Sequence, residues 1–224
     1  GDGVWPGGTT IYSLTPSRIA SLRPDGKSAI MPMATSAAGL SAGPVSPYAS
    51  PGENMSLSFL PRIMARTVMD LSPQLLQQRG IALLMLDFDN TIVPYTTDEP
   101  TEEMLAWLTE MAASGIQICI VSNSKKPRVV TFAKRYGLDV MTHAHKPSAK
   151  VLRACMARYG VAPEHAALAG DQIYTDVLGA NRAGALPILV QAISNHTIWL
   201  KLRHVAEQPF ILAAKGRKAL CTRI

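Results

Sequence analysis

Cysteine is scarce in this chain, and the little there is cannot form a framework. Cys119, Cys155 and Cys221 are odd in number, far apart and never in a C-x-x-C pair. That excludes a structural zinc site and a disulfide scaffold, and it suits a reducing compartment. No apolar run reaches the roughly 18 residues that a membrane-spanning helix needs. No G-x-x-x-x-G-K-[ST] occurs, which sets aside a phosphate-cradling NTPase. Acidic residues all but vanish at the C-terminal end: residues 191–224 hold six Lys/Arg (Lys201, Arg203, Lys215, Arg217, Lys218, Arg223) against one acid, Glu207. These residues therefore supply +5 of the formal net charge of +6, and the basic character of the chain is a C-terminal property.

What is present divides the 224 residues into three parts. Residues 1–54 hold 8 of the 16 glycines and 7 of the 16 prolines, with eight serines and no sustained hydrophobic period. This composition cannot bury enough apolar surface to fold and reads as a disordered tail, with Met55 as the expected start. Its serine content and few acids leave a transit peptide as the alternative. Residues 55–195 read as one globular domain, and 196–224 as a basic amphipathic tail.

Within the domain, Leu60, Ile63, Met64, Val68 and Leu71 recur at helical spacing and predict a short amphipathic helix or loop over 57–71. Ser72-Pro73 is an N-cap followed by proline at the first helical position. The chain then enters an uninterrupted apolar run from Ile81 to Leu86, the pattern of a strand buried on both faces. Further strands are expected at Ile116–Val121, Val140–Ala144, Ala166–Ala169 and Leu186–Val190. The helices between them start at Thr101, Pro127, Ser148 and about Thr175. Alternation of this kind implies an α/β fold, a doubly wound parallel sheet with right-handed crossovers.

The polar oddities all fall just past strand C-termini, where open α/β sheets bind ligands. They are Asp87 and Asp89, Ser122 and Asn123, Lys146, and Asp171 with Asp176. A carboxylate pair at the end of a buried strand is costly to desolvate without a cation or donors beside it. Because side chains alternate along extended chain, Asp87 and Asp89 point one way and Phe88 the other. Plainer readings stand beside the functional ones. Ser122 could cap a turn, Asp176 could be placed by the helix dipole, and His143 and His145 are expected as rim residues rather than a metal pair.

In their order, Asp87-Phe88-Asp89-Asn90-Thr91, Ser122, Lys146-Pro147 and Gly170-Asp171-Gln172-x-x-Thr175-Asp176 resemble the four motifs of the haloacid dehalogenase superfamily. Val121-Ser122-Asn123-Ser124, the continuation through Asn181-Arg182 and the Leu60-Pro61 lead-in resemble, more narrowly, its YqeG-like subclass IIIA phosphatases. The resemblance implies a three-layer, Rossmann-type fold without a cap domain and a Mg²⁺-dependent phosphomonoester hydrolase. It implies Asp87 as nucleophile and Asp89 as general acid and base, with Ser122, Asn123 and Lys146 on the phosphoryl group. Asp87, Asp171 and the Asp89 carbonyl are then the metal ligands, with Asp176 in support.

Spacing agrees with the missing cap. Asp87 and Ser122 are 35 positions apart, and Lys146 and Asp171 are 25, each interval already filled by a helix and a strand. An uncovered site favours a bulky substrate that helps exclude water. Relatives of the YqeG-like family imply a lipid phosphate such as phosphatidylglycerophosphate. The apolar and basic tail suits peripheral contact with an anionic membrane. The expected place is cytoplasmic, at the inner membrane face, with organellar targeting by residues 1–54 as the alternative. A second reading, an RNA- or ribosome-binding adaptor on the same fold, rests on the same basic tail.

Overall fold

The computed structural model describes residues 3–4, 10–12, 59–194, 208–213 and 222–224. In chain order these form β1 (Gly3–Val4), β2 (Thr10–Tyr12), β3 (Ile63–Ala65), α1 (Pro73–Gln78), β4 (Leu83–Leu86), α2 (Glu102–Ala113) and β5 (Gln117–Val121). There follow α3 (Pro127–Tyr136), β6 (Asp139–Met141), α4 (Ala149–Tyr159), β7 (Ala166–Gly170), α5 (Leu178–Ala183), β8 (Leu186–Val190) and β9 (Thr222–Arg223). The strands make one sheet in the order β1-β2-β6-β5-β4-β7-β8-β3-β9. From β6 to β9 every pairing is parallel, and β2 adds to β6 antiparallel.

β4 lies inside the sheet, with Leu84 opposite Ile118 on β5 and Ala167 on β7. Its side chains alternate between two cores. Leu84, Leu86 and then Phe88 pack with Trp107, Leu108 and Phe132 from α2 and α3. Leu83 and Met85 pack with Leu152, Cys155 and Ala180 from α4 and α5. The result is three layers, and a strand apolar on both faces is what that arrangement requires. The caps expected from sequence are formed: the Ser72 hydroxyl accepts from the Leu75 N–H at 3.2 Å, and the Thr101 hydroxyl from the Met104 N–H at 3.2 Å. Gly137, at φ 67°, ends α3 in a left-handed turn that a Cβ would strain. Neither interval that could admit a cap domain contains one.

The lead-in departs from expectation. Helical spacing predicted a helix or loop over 57–71, but Ile63–Ala65 is the strand β3, parallel to β8, with Ile63 opposite Ile188. Pro61 interrupts any helix through Leu60, and the open edge of β8 offers partners that a three-turn helix cannot match. A 3-10 turn at Val68–Asp70 follows, its Asp70 carboxylate accepting from the N–H groups of Arg66 and Thr67 at 3.0 and 2.7 Å.

The third parallel strand also ends earlier than predicted. β6 stops at Met141, and His143 and His145 sit beyond it in left-handed conformation, at φ 54° and 51°. They belong to a loop and join no metal-ligating cluster among the described residues.

At the ends of the chain, β1 and β2 are strands within the stretch read as tail, and residues 13–58 lie outside the described residues. In the basic tail, Phe210 and Ile211 pack on the domain: the Phe210 ring is 4.9 Å from Phe59 and 5.9 Å from Tyr174. The expected contributions of Ile198, Trp199, Lys201, Leu202, Arg203, Val205 and the Lys215–Lys218 cluster lie outside the described residues. No helix among the described residues is long and apolar enough to cross a membrane.

Candidate active site

Each candidate residue stands where a parallel strand ends. Asp87 continues β4 by one residue, its N–H donating to Ala169 O at 2.9 Å, and Asp171 follows directly on β7. Asp176 arrives differently. The helix expected from Thr175 begins instead as a π-helical turn, Ile173–Val177, that runs into α5. Such turns re-aim side chains and are frequent at functional sites. Here it turns Asp176 inward, where it is fully buried. The Asp87, Asp171 and Asp176 carboxylates offer oxygens all within 4.8 Å of one another.

Lys146 stands in the middle of this negative charge. Its ammonium is 2.6 Å from Asp87 Oδ1 and 2.7 Å from Asp176 Oδ1. Burial pulls its pKa down, but Asp176 and Asp87 outweigh burial and hold it above the ordinary lysine value. The Asp87 carboxyl is pushed up to about 6, first by burial and then by Asp176, against the pull of Lys146. Three buried carboxylates thus converge beside one ammonium. The cluster therefore fits a divalent cation with hard oxygen ligands, which would complete the balance.

Asn123 takes a different part from the one its position suggests. Its side-chain amide is used on both sides by Lys146: Oδ1 accepts from the Lys146 N–H at 2.7 Å, and Nδ2 donates to the Lys146 carbonyl at 3.0 Å. Asn123 thus fixes the backbone that carries the ammonium. The buried Ser122 hydroxyl accepts from the Ser124 N–H at 3.0 Å, which leaves its own O–H as a donor. Asp89 is half-buried, outside the three-carboxylate cluster, and its Oδ1 is 3.2 Å from the Arg128 guanidinium. Burial raises its pKa, opposed by Arg128 and then by Lys126.

Two residues without an assigned role in the sequence support this group. Asn90, at φ 65°, donates from Nδ2 to Ser194 O at 2.7 Å and ties the loop after β4 to the segment after β8. Arg128 was legible only as an anomaly, a cation at a helix N-terminus where the dipole disfavours it. Asn181 and Arg182 pack beside the site, Asn181 donating to Leu60 O and Arg182 to Pro147 O.

Gly170 shows how closely the cluster is built. A Cβ there would lie 2.7 Å from Asp176 Cβ and closer still to its carboxyl group. Gly170→Ala is expected to push Asp176 off Lys146 and destabilise the protein by about 2 kcal/mol, seen as a lower Tm. Hydrolytic activity should fall with it.

Comparison with known proteins matches residues 58–184 to the family model "haloacid dehalogenase-like hydrolase". The probable phosphatase YqeG of Bacillus subtilis (strain 168) is 31% identical over 160 residues, spanning 71% of this chain and 93% of that protein. Among solved structures, 3-deoxy-D-manno-octulosonate 8-phosphate phosphatase from Moraxella catarrhalis, in complex with a magnesium ion, a phosphate ion and a KDO molecule, aligns over 64% of this chain and 97% of its own. The TM-score is 0.39 and the identity 18%. The cobalt-bound octulosonate 8-phosphate phosphatase of Haemophilus influenzae aligns over 62% and 91%, with a TM-score of 0.40 and 14% identity.

Proposed function

The chain belongs to the haloacid dehalogenase-like hydrolase family, and from that premise we propose that it is a Mg²⁺-dependent phosphomonoester hydrolase with Asp87 as its nucleophile. The observation that supports this reading is the convergence of Asp87 and Asp171, from the tips of β4 and β7, with Asp176 and Lys146. Asp87, Asp171 and the Asp89 carbonyl would hold the ion, with Asp176 behind them. When bound, Mg²⁺ supplies the charge neutralisation that lets a carboxylate approach a phosphate dianion.

The chain's own residues do the rest. An Asp87 oxygen attacks phosphorus in line, forming the aspartyl-phosphate as the bond to the leaving oxygen breaks. Asp89 gives its proton to that leaving alkoxide, and the upward shift of its pKa suits a group that must carry one. Asp89 then takes a proton from the water that attacks the same phosphorus, releasing phosphate and restoring the Asp87 carboxylate. The Lys146 ammonium, the Ser122 hydroxyl and the Asn123 N–H offer positive charge and donors to the phosphoryl oxygens.

The substrate we infer is a large phosphomonoester, a lipid phosphate such as phosphatidylglycerophosphate, met at the cytoplasmic face of an anionic membrane. The absence of a cap domain and the basic C-terminal sequence support this, as do the free, buried thiols of Cys119 and Cys155. Turnover of a panel of lipid, nucleotide and peptide phosphomonoesters tests it, with the lipid expected to give the highest kcat/KM. A better nucleotide or peptide substrate would refute the lipid assignment. Chelation with EDTA is expected to abolish hydrolysis of 4-nitrophenyl phosphate and added Mg²⁺ to restore it; metal-independent turnover would refute the mechanism.

A further inference from the structure

We propose that Arg128 is a positioning residue for catalysis, a strap that holds the loop before α2 against α3 and thereby sets the carboxyl of Asp89. The inference rests on the reading of Asp89 as the proton donor and goes beyond it. One guanidinium gathers the whole loop. It donates to the carbonyls of Pro94, Tyr95 and Thr97 at 3.1, 3.2 and 2.7 Å, and it pairs with the carboxylates of Asp98 at 2.6 Å and Asp89 at 3.2 Å. Three hydrogen bonds to carbonyls and two ion pairs converge on one rigid fork, an arrangement that a lysine ammonium cannot reproduce. The plane also lies over the Phe88 ring, 5.3 Å from its centroid, and Phe88 is itself packed 5.0 Å from Phe132 of α3.

The placement links two motifs. Arg128 is the second residue of α3, directly after the turn that begins with Ser122, while its partners all follow Asp87 on the other side of the crevice. The side chain thus spans from the phosphate-donor turn to the acid/base residue. Its contact with Asp89 is an ion pair without hydrogen-bond alignment, because Asp89 Oδ1 accepts no hydrogen bond within the described chain. The charge holds that buried oxygen, and with it the carboxyl, in place. A second tie, Arg135 to Glu99 at 2.5 Å, fastens the same loop to α3 without reaching Asp89, and so provides an internal control.

The test is the dependence of kcat/KM on leaving-group pKa, over aryl phosphates from 4-nitrophenyl to 4-methoxyphenyl, in the full chain with Mg²⁺. A displaced proton donor harms poor leaving groups most. Arg128→Ala should steepen the slope, with a loss on the poorest leaving group about tenfold greater than on 4-nitrophenyl phosphate. Inhibition by inorganic phosphate should change little. Arg135→Ala should keep the wild-type slope, and Asp89→Asn gives the slope of an enzyme without its donor. If Arg128→Ala does not fold, Arg128→Lys is read in its place with the same expectation. Parallel lines for the Arg128 variant beside a steep line for Asp89→Asn would overturn the strap alone, as would an equally steep line for Arg135→Ala. A wild-type slope in Asp89→Asn would overturn the proton-donor reading and this inference with it.

Discussion

Asp87→Asn is expected to lower turnover of 4-nitrophenyl phosphate by at least about a thousandfold, because the amide can neither attack phosphorus nor carry the acyl phosphate. Acid quenching during turnover of ³²P-labelled substrate should leave label on the wild-type protein and none on the variant. Unchanged turnover in the variant would remove Asp87 from the reaction. The same substitution has a second effect in the metal-free protein. The folded Asp87 carboxyl is pushed up to about 6 from an ordinary 3.8, first by burial. Between those values the folded state holds a proton that the unfolded state has released, so Asp87 lowers stability as pH rises from about 4 to 6. Asparagine does not titrate. The Tm of Asp87→Asn relative to wild type should therefore climb across that window and level off above it. A constant difference would show that Asp87 titrates alike in both states.

Lys146→Met should produce opposite signs in two measurements. Removing the ammonium leaves Asp87 and Asp176 buried without the partner that is 2.6 and 2.7 Å away. Breaking a buried pair in this way destabilises by about 3–5 kcal/mol, which a thermal melt of the metal-free protein would register. Hydrolysis should fall roughly 100-fold or more with the loss of positive charge at the phosphoryl group. Mg²⁺ should nevertheless bind more tightly, since a competing cation has left the carboxylate cluster. The Tm rise on adding Mg²⁺ would then be larger in the variant than in the wild type. A smaller rise would mean that Lys146 orders the metal ligands rather than competing with the ion.

The elements that the sequence showed best are those whose pattern is local and strong. β4 reads as a strand because it is apolar at every position, and Ser72, Thr101 and Ser148 mark helix starts because a cap is satisfied within three residues. β3 was hidden because its residues also fit a helical period, and only the open edge of β8 decides between the two. The site divides in the same way. Asp87, Asp89, Ser122, Lys146 and Asp171 are legible as polar residues at strand ends. The inward turn of Asp176 depends on a π-helical segment and on the missing side chain of Gly170. The parts of Asn123 and Arg128 depend on partners 23 residues away and on a loop 30 to 39 residues back along the chain.

By itself the sequence determined the alternation of strands and helices from β4 to β8 and the set of chemical groups at the strand tips, because period, caps and the cost of a charged strand end act over a few residues. The tertiary structure alone decided which of those groups meet. Whether Asp176 joins Asp87 and Asp171 around Lys146, and whether Arg128 reaches Asp89, depends on the side-by-side pairing of β6, β5, β4 and β7 in one sheet. Distances between groups on separate strands are set by that packing and have no counterpart in local spacing.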